Sequence, residues 1–132
     1  MPRYFTREDA ERLLSRIRPL MEEVLRRSLV FHQLQGEVDA VEKKLKGNGH
    51  LGATGELEQR QRALREVGQG IATLVAEVQE LGVEVKDLST GLVDFRALRE
   101  GREVYLCWRV GEPRVEWWHP LEGGFSGRQK LD

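Results

Sequence analysis

The apolar residues of the first half of the chain recur three and four apart: Ala10, Leu13, Ile17, Leu20, Val24, Phe31, Leu34, Val38, Val41 and Leu45. That alternation is a heptad seam, and it predicts one long helix over residues 7–45. Thr6 stands where its hydroxyl can cap the free N–H groups of the first turn. Glu8 and Asp9 follow, where the helix dipole favours anions. Tyr4 and Phe5 precede the cap and can staple the chain to the helix. Two positions disturb the pattern. Pro19 is expected to kink or break the helix one turn back. Arg27 occupies a place due an apolar side chain. Either it sets register through a buried partner, or the helix passes an uncovered stretch there.

Four glycines in KGNGHLGATG make residues 46–55 a loop. A second seam, Leu57, Leu64, Val67, Ile71, Leu74, Val78 and Leu81, predicts a second helix over residues 56–81, with Gly82 as its stop. Gly68 and Gly70 lie inside it and cost about 1 kcal/mol each against alanine. Close helix approach accounts for them, and so does a local weakness.

Beyond Gly82 the period changes from helical to two. Val83–Val85 reads as a short strand, Thr90–Gly91 as a turn, and Leu92–Phe95 as a second strand or loop. Glu103–Val110 and Arg114–His119 both alternate, with Gly111, Glu112 and Pro113 turning between them. A two-residue turn would set Arg109 against Arg114. A four-residue loop instead pairs Arg109 with Glu116, Val110 with Val115, and Trp108 with Trp117, which opposite charge and aromatic pairing favour. Leu106, Trp108, Val110, Val115, Trp117 and His119 then share one face, and Tyr105, Cys107, Arg109, Glu116 and Trp118 the other.

The expected architecture is α+β: a long antiparallel helical hairpin over residues 1–82, then a small antiparallel β unit over residues 83–132, packed on the N-terminal part of helix 1. At 1.5 Å per residue the helices span ~60 Å and ~39 Å, so the start of helix 1 needs another partner. A two-helix hairpin cannot bury both sides of its stripe alone, and a homodimer through the helices is the preferred solution. Its seam would use Leu13, Ile17, Val24, Phe31, Leu34, Val38, Leu64, Ile71, Leu74 and Val78.

Composition then removes several classes. The 132 residues are one domain's worth. No run is apolar enough to span a membrane, and the N-terminus has no secretory apolar core, so a cytoplasmic protein is expected. Twenty-one basic and 22 acidic residues give a net charge of -1, which argues against nucleic acid and anionic membrane as partners. One cysteine excludes a disulfide framework and a cysteine-rich zinc module. Arginine greatly outnumbers lysine, which hints at a thermophilic or GC-rich source.

Candidate chemistry collects in the β unit. Lys86, Arg99, Arg102, Trp108 and Arg128 are candidates for binding a small anion, since arginines beside tryptophans suit planar anions. Asp87, Asp94, Glu112 and His119 are candidates for acid–base catalysis if they converge on one pocket. Cys107 and His119 invite a nucleophile–base or metal reading, but either register above puts them on opposite faces, because the side-chain period is two. A three-residue loop with a bulge would reverse this. A metal would require Cys107 or His119 to meet Asp94 or Glu112. The loop GNGHLGAT, residues 47–54, has the glycine spacing of a P-loop, but Ala53 replaces the lysine and the loop joins two helices. The leading expectation is a non-enzymatic oligomeric scaffold with a protein partner and no cofactor. A small-anion binder or enzyme is the alternative, and a metal-binding protein the second alternative.

The string from Lys86 to Gln129, with its pieces KDL, GLVDF, GREVYLCW, GE, WH and GFSGR, resembles an uncharacterised bacterial family of unknown function. The opening YFTREDAERLLSRIRPL is similar to that family's start. The resemblance implies a small cytoplasmic protein with no assigned activity, whose members are sometimes labelled cell-division proteins for their coiled coil. The family pattern has proline where this chain has Arg96, and an acidic residue where it has Pro120, so no site is carried over at those positions.

Overall fold

A computed structural model describes residues 3–48 and 53–132, and the P-loop-like tip at residues 49–52 lies outside them. The fold is α+β: two helices, then a five-stranded antiparallel sheet. No helix among the described residues is long and apolar enough to cross a membrane.

Helix α1 runs Arg7–Asn48, 42 residues. Thr6 Oγ1 accepts the Asp9 N–H at 3.0 Å, and Asp9 Oδ2 accepts the Thr6 N–H at 3.0 Å, which is a reciprocal capping box. The helix continues through Pro19, so the expected break does not occur. Pro19 faces solvent while Ile17 and Met21, either side of it, are buried and hold the turn. The buried stripe also departs from the expected seam. It runs Ala10, Leu14, Ile17, Met21, Val24 and Ser28, whereas Leu13 and Leu20 are only half-buried. Ala10, Ile17, Val24, Val38 and Val41 of the expected seam are buried; the departure is at alternate positions, where Leu14 and Met21 take the places expected for Leu13 and Leu20. The polar interruption is therefore Ser28, which is small enough to bury, and not Arg27. Helix α2 runs Ala53–Glu80 and ends at Gly82, whose φ is +89°.

The chain packs as two compact units, Met1–Leu25 with Leu74–Asp132, and Arg26–Thr73. Within Arg26–Thr73 the helices are antiparallel: Arg27 lies against Gly70, Phe31 against Gly68, and Arg60 reaches Glu37. A methyl on Gly68 would meet Phe31 at 3.3 Å, and one on Gly70 would meet the Arg27 guanidinium at 2.5 Å. Close approach to the Phe31 ring accounts for Gly68, whereas at Gly70 the contact is only the far end of the flexible Arg27 side chain, which can swing aside.

The sheet is a meander, β1 (Glu84–Asp87), β2 (Leu92–Arg99), β3 (Arg102–Arg109), β4 (Trp117–Pro120) and β5 (Gln129–Lys130), each strand paired with its neighbours in sequence. β1 covers β2 only as far as Asp94. Further along that edge the Phe5 N–H donates to the Arg96 carbonyl at 2.8 Å, and the Phe5 ring packs edge-on to Phe95 at 5.5 Å. The apolar face carries Val93, Phe95, Ala97, Val104, Leu106 and Trp108, all buried.

The β3–β4 register is not the expected one. Trp117 opposes Cys107, Trp118 opposes Leu106, and His119 opposes Tyr105. The expected Trp108–Trp117 and Arg109–Glu116 pairs do not form. The cause lies in the backbone of residues 110–116, which leaves the ladder because other groups claim it. Trp108 Nε1–H and Arg18 donate to the Glu112 carbonyl, Arg18 also donates to Pro113, and the Val115 N–H donates to Glu11 Oε1 at 2.7 Å. Ladder pairing resumes only at Trp117, shifted by one residue. A one-residue shift turns every side chain of a strand to the opposite face.

Candidate functional site

The shifted register decides what the polar face contains. Asp94 in the middle of β2 opposes Cys107 in β3, and Cys107 shares its face with Trp117 and His119 of β4. Cys107 and His119 are therefore on the same face, and the expectation that they project oppositely is overturned. Asp94, Cys107 and His119 are 2%, 0% and 2% exposed. One potential ligand atom from each lies within 4.8 Å of the other two.

His119 is held at both ring nitrogens. Nδ1 lies 2.8 Å from the Pro120 carbonyl, and Nε2 lies 2.9 Å from Asp94 Oδ2. A carbonyl only accepts, so Nδ1 carries the proton of that bond. Nε2 then faces a carboxylate oxygen, and the contact needs a second proton or a cation between the two. Asp94 Oδ1 is buried and has no hydrogen-bond partner among the described residues. Burial pushes the Asp94 carboxyl above the usual carboxylate range, while His119, the Cys107 thiol and Lys86 pull the other way. Burial, and then the Asp94 charge, push the Cys107 thiol up to about 12. The Arg128 charge pulls the other way without offsetting them, so Cys107 is a neutral thiol at physiological pH and a poor nucleophile.

Around this cluster the polar face is an ion-pair network. Glu84 takes Lys86 at 3.0 Å and the Tyr105 hydroxyl at 3.0 Å, and Arg96 donates to Tyr105 at 2.8 Å. Tyr105 packs on His119 with ring centroids 5.4 Å apart. Arg128 donates to both carboxylate oxygens of Glu112, at 2.6 and 2.8 Å, and lies over Trp117 at 4.8 Å. Glu112 Oε1 also accepts the Arg109 N–H at 2.9 Å.

The remaining candidates do not converge. Asp87 accepts the N–H and hydroxyl of Ser89 in the turn after β1, and those bonds hold its carboxyl below the usual range. Glu112 is committed to Arg128. Lys86 is committed to Glu84 and lies over the Tyr105 ring at 4.7 Å. Trp108 is wholly buried, with its indole N–H on the Glu112 carbonyl, and offers no free face to a ligand. Arg99 lies over Trp118 at 4.7 Å and pairs with Asp132 at 3.5 Å. Arg99, Arg102 and Trp118 line an open cleft of about 520 Å³, but Glu100, Glu103 and Glu122 line it too, so its charge is mixed.

Sequence reasoning named all three cluster residues and missed their meeting. The available signal was Asp94 itself, a carboxylate set between the apolar Val93 and Phe95 near the start of the strand. The segment that follows β4 carried less: the short 3-10 turn Phe125–Gly127 and strand β5 sit in a glycine-rich stretch with no periodicity.

Residues 3–131 match the family described as an uncharacterized conserved protein (DUF2203), and the chain belongs to that family. No curated protein and no solved structure matches the chain.

Proposed function

We propose that the protein is a non-enzymatic, cytoplasmic interaction protein that self-associates through the coiled-coil helices of Arg26–Thr73 and presents its β unit to a protein partner. One observation carries this reading. In Arg26–Thr73 the seam side chains Phe31, Leu34, Leu45, Leu57, Leu64 and Val67 are only half-buried, and Leu29 and Val30 are 64% and 43% exposed. A layer of two helices has nothing within itself to cover its second side, and an apolar stripe of this kind is stable in water when another layer lies on it. A second copy supplies the same stripe in self-complementary form. The enzymatic alternative required Asp87, Asp94, Arg102, Glu112 and His119 around one pocket. Asp87 and Glu112 sit instead in separate local pairs, and that weighs against it.

Native mass spectrometry and light scattering of the untagged chain test the proposal. The expected result is a dimer at micromolar concentration, and a monomer in Leu29→Glu/Leu34→Glu with unchanged helical circular dichroism. A wild-type monomer up to about 100 μM would sink the self-association reading.

A further inference from the structure

We propose that Asp94, Cys107 and His119 bind a divalent transition-metal ion of the zinc class. The three side chains come from three adjacent strands and meet on one face of the sheet, with a ligand atom of each within 4.8 Å of the others. Carboxylate oxygen, thiolate sulfur and imidazole nitrogen are the three donor types zinc accepts, at about 2.0–2.3 Å. A tetrahedral ion with such bonds holds its ligands roughly 3.5 Å apart. The His119–Asp94 contact at 2.9 Å opens slightly to admit it, and separations of up to 4.8 Å close by at most about 1.3 Å.

Two further observations point to a cation. The first is Asp94 Oδ1, an acceptor in a nine-tenths-buried side chain with no hydrogen-bond partner among the described residues. Buried acceptors without partners are rare, and each asks for a missing group. The second is the arrangement of His119. Its Nδ1–H is spent on the Pro120 carbonyl, which is how metal-binding histidines are commonly oriented, and this leaves the Nε2 lone pair toward Asp94.

Charge closes the argument. Thiolate and carboxylate together carry two negative charges and imidazole none, so a divalent ion makes the buried complex neutral. The nearby cations are already balanced, Lys86 by Glu84 and Arg128 by Glu112. On binding, the Cys107 S–H bond is replaced by a sulfur–metal bond and that proton leaves to solvent. The proton shared by Asp94 and His119 leaves as well, so two protons are released for each divalent ion bound. Nothing is oxidised or reduced. Three protein ligands are also the set found where zinc keeps one coordination position for a further ligand.

Cobalt(II) is the probe, because the chain holds a single cysteine and any sulfur-to-metal charge-transfer band must come from Cys107. Full-length protein is stripped with chelator and offered cobalt in two ways: native, and during refolding from guanidinium, since the site is buried. The expected result is one cobalt per chain, with a thiolate charge-transfer band, intense tetrahedral visible bands, and displacement by zinc. Cys107→Ser should abolish the charge-transfer band, and Cys107→Ser and His119→Gln should each weaken zinc binding at least about tenfold. If the variants do not fold, the wild-type spectrum decides alone. Absence of the band by both routes, or zinc affinity unchanged in folded Cys107→Ser and His119→Gln, would overturn the proposal and leave a metal-free Asp–His bridge between β2 and β4.

Discussion

At Gly91 a single hydrogen in place of a side chain settles a turn. Its φ is +68°, it is buried, and Val110 Cγ2 occupies the space a Cβ would take. The Gly91 carbonyl also accepts the Val110 N–H at 3.1 Å, so the two turns it touches cannot drift apart. Gly91→Ala therefore meets left-handed backbone strain and overlap together. It should cost about 2–4 kcal/mol, read as a lower urea midpoint with unchanged slope. The turn at Thr90–Gly91 was legible in the sequence because glycine marks such positions. The approach of Val110 was not, because it depends on where β3 ends. Asp94 shows the same division. Its place between apolar Val93 and Phe95 was visible, but its partners lie 13 and 25 residues on and reach it only through strand pairing.

The decisive element is the connection between β3 and β4. Alternation located both strands, and charge and aromatic pairing favoured a register one residue away from the one adopted. Cross-strand pairs contribute only about 0.2–1 kcal/mol each. Against them stand the hydrogen bonds that Glu11, Arg18 and the Trp108 indole make to residues 112–115, together with burial of Val115. Glu112 anchors this connection through Arg128, and the two side chains are only 15% and 9% exposed. Glu112→Gln strands a nearly buried guanidinium whose Nε already has no hydrogen-bond partner among the described residues. The expected loss is about 2–3 kcal/mol. In a double-mutant cycle with Arg128→Gln, the double variant should lose clearly less than the sum of the singles. Additive losses would mean that the pair does not hold the connection.

For the whole molecule, acid is the informative perturbation. Glu84 and Asp87 both have folded pKa values below their ordinary 4.5 and 3.8. For Glu84 burial acts the other way, but hydrogen bonds from Lys86 and Tyr105 outweigh it. For Asp87 the Ser89 hydroxyl and N–H are responsible. A lowered folded pKa means that the unfolded chain binds more protons in the window between the two values. Stability from these groups is thus complete above about pH 5 and is lost as the pH falls below 4. Melting temperature should drop over that range, and Glu84→Gln should flatten the drop; an identical slope in the variant would remove Glu84 from the account. The sequence by itself determined two long helices, an antiparallel sheet and the change of period at Gly82, because these follow from the spacing of apolar residues and from glycine, which act over a few positions. Only the tertiary structure decided that Leu14 and Met21, rather than Leu13 and Leu20, complete the buried stripe of α1, which register β4 takes, and hence that Asp94, Cys107 and His119 meet. The register is set by helix side chains capturing a distant loop, and a shift of one residue is invisible to a local pattern yet reverses every side chain of a strand.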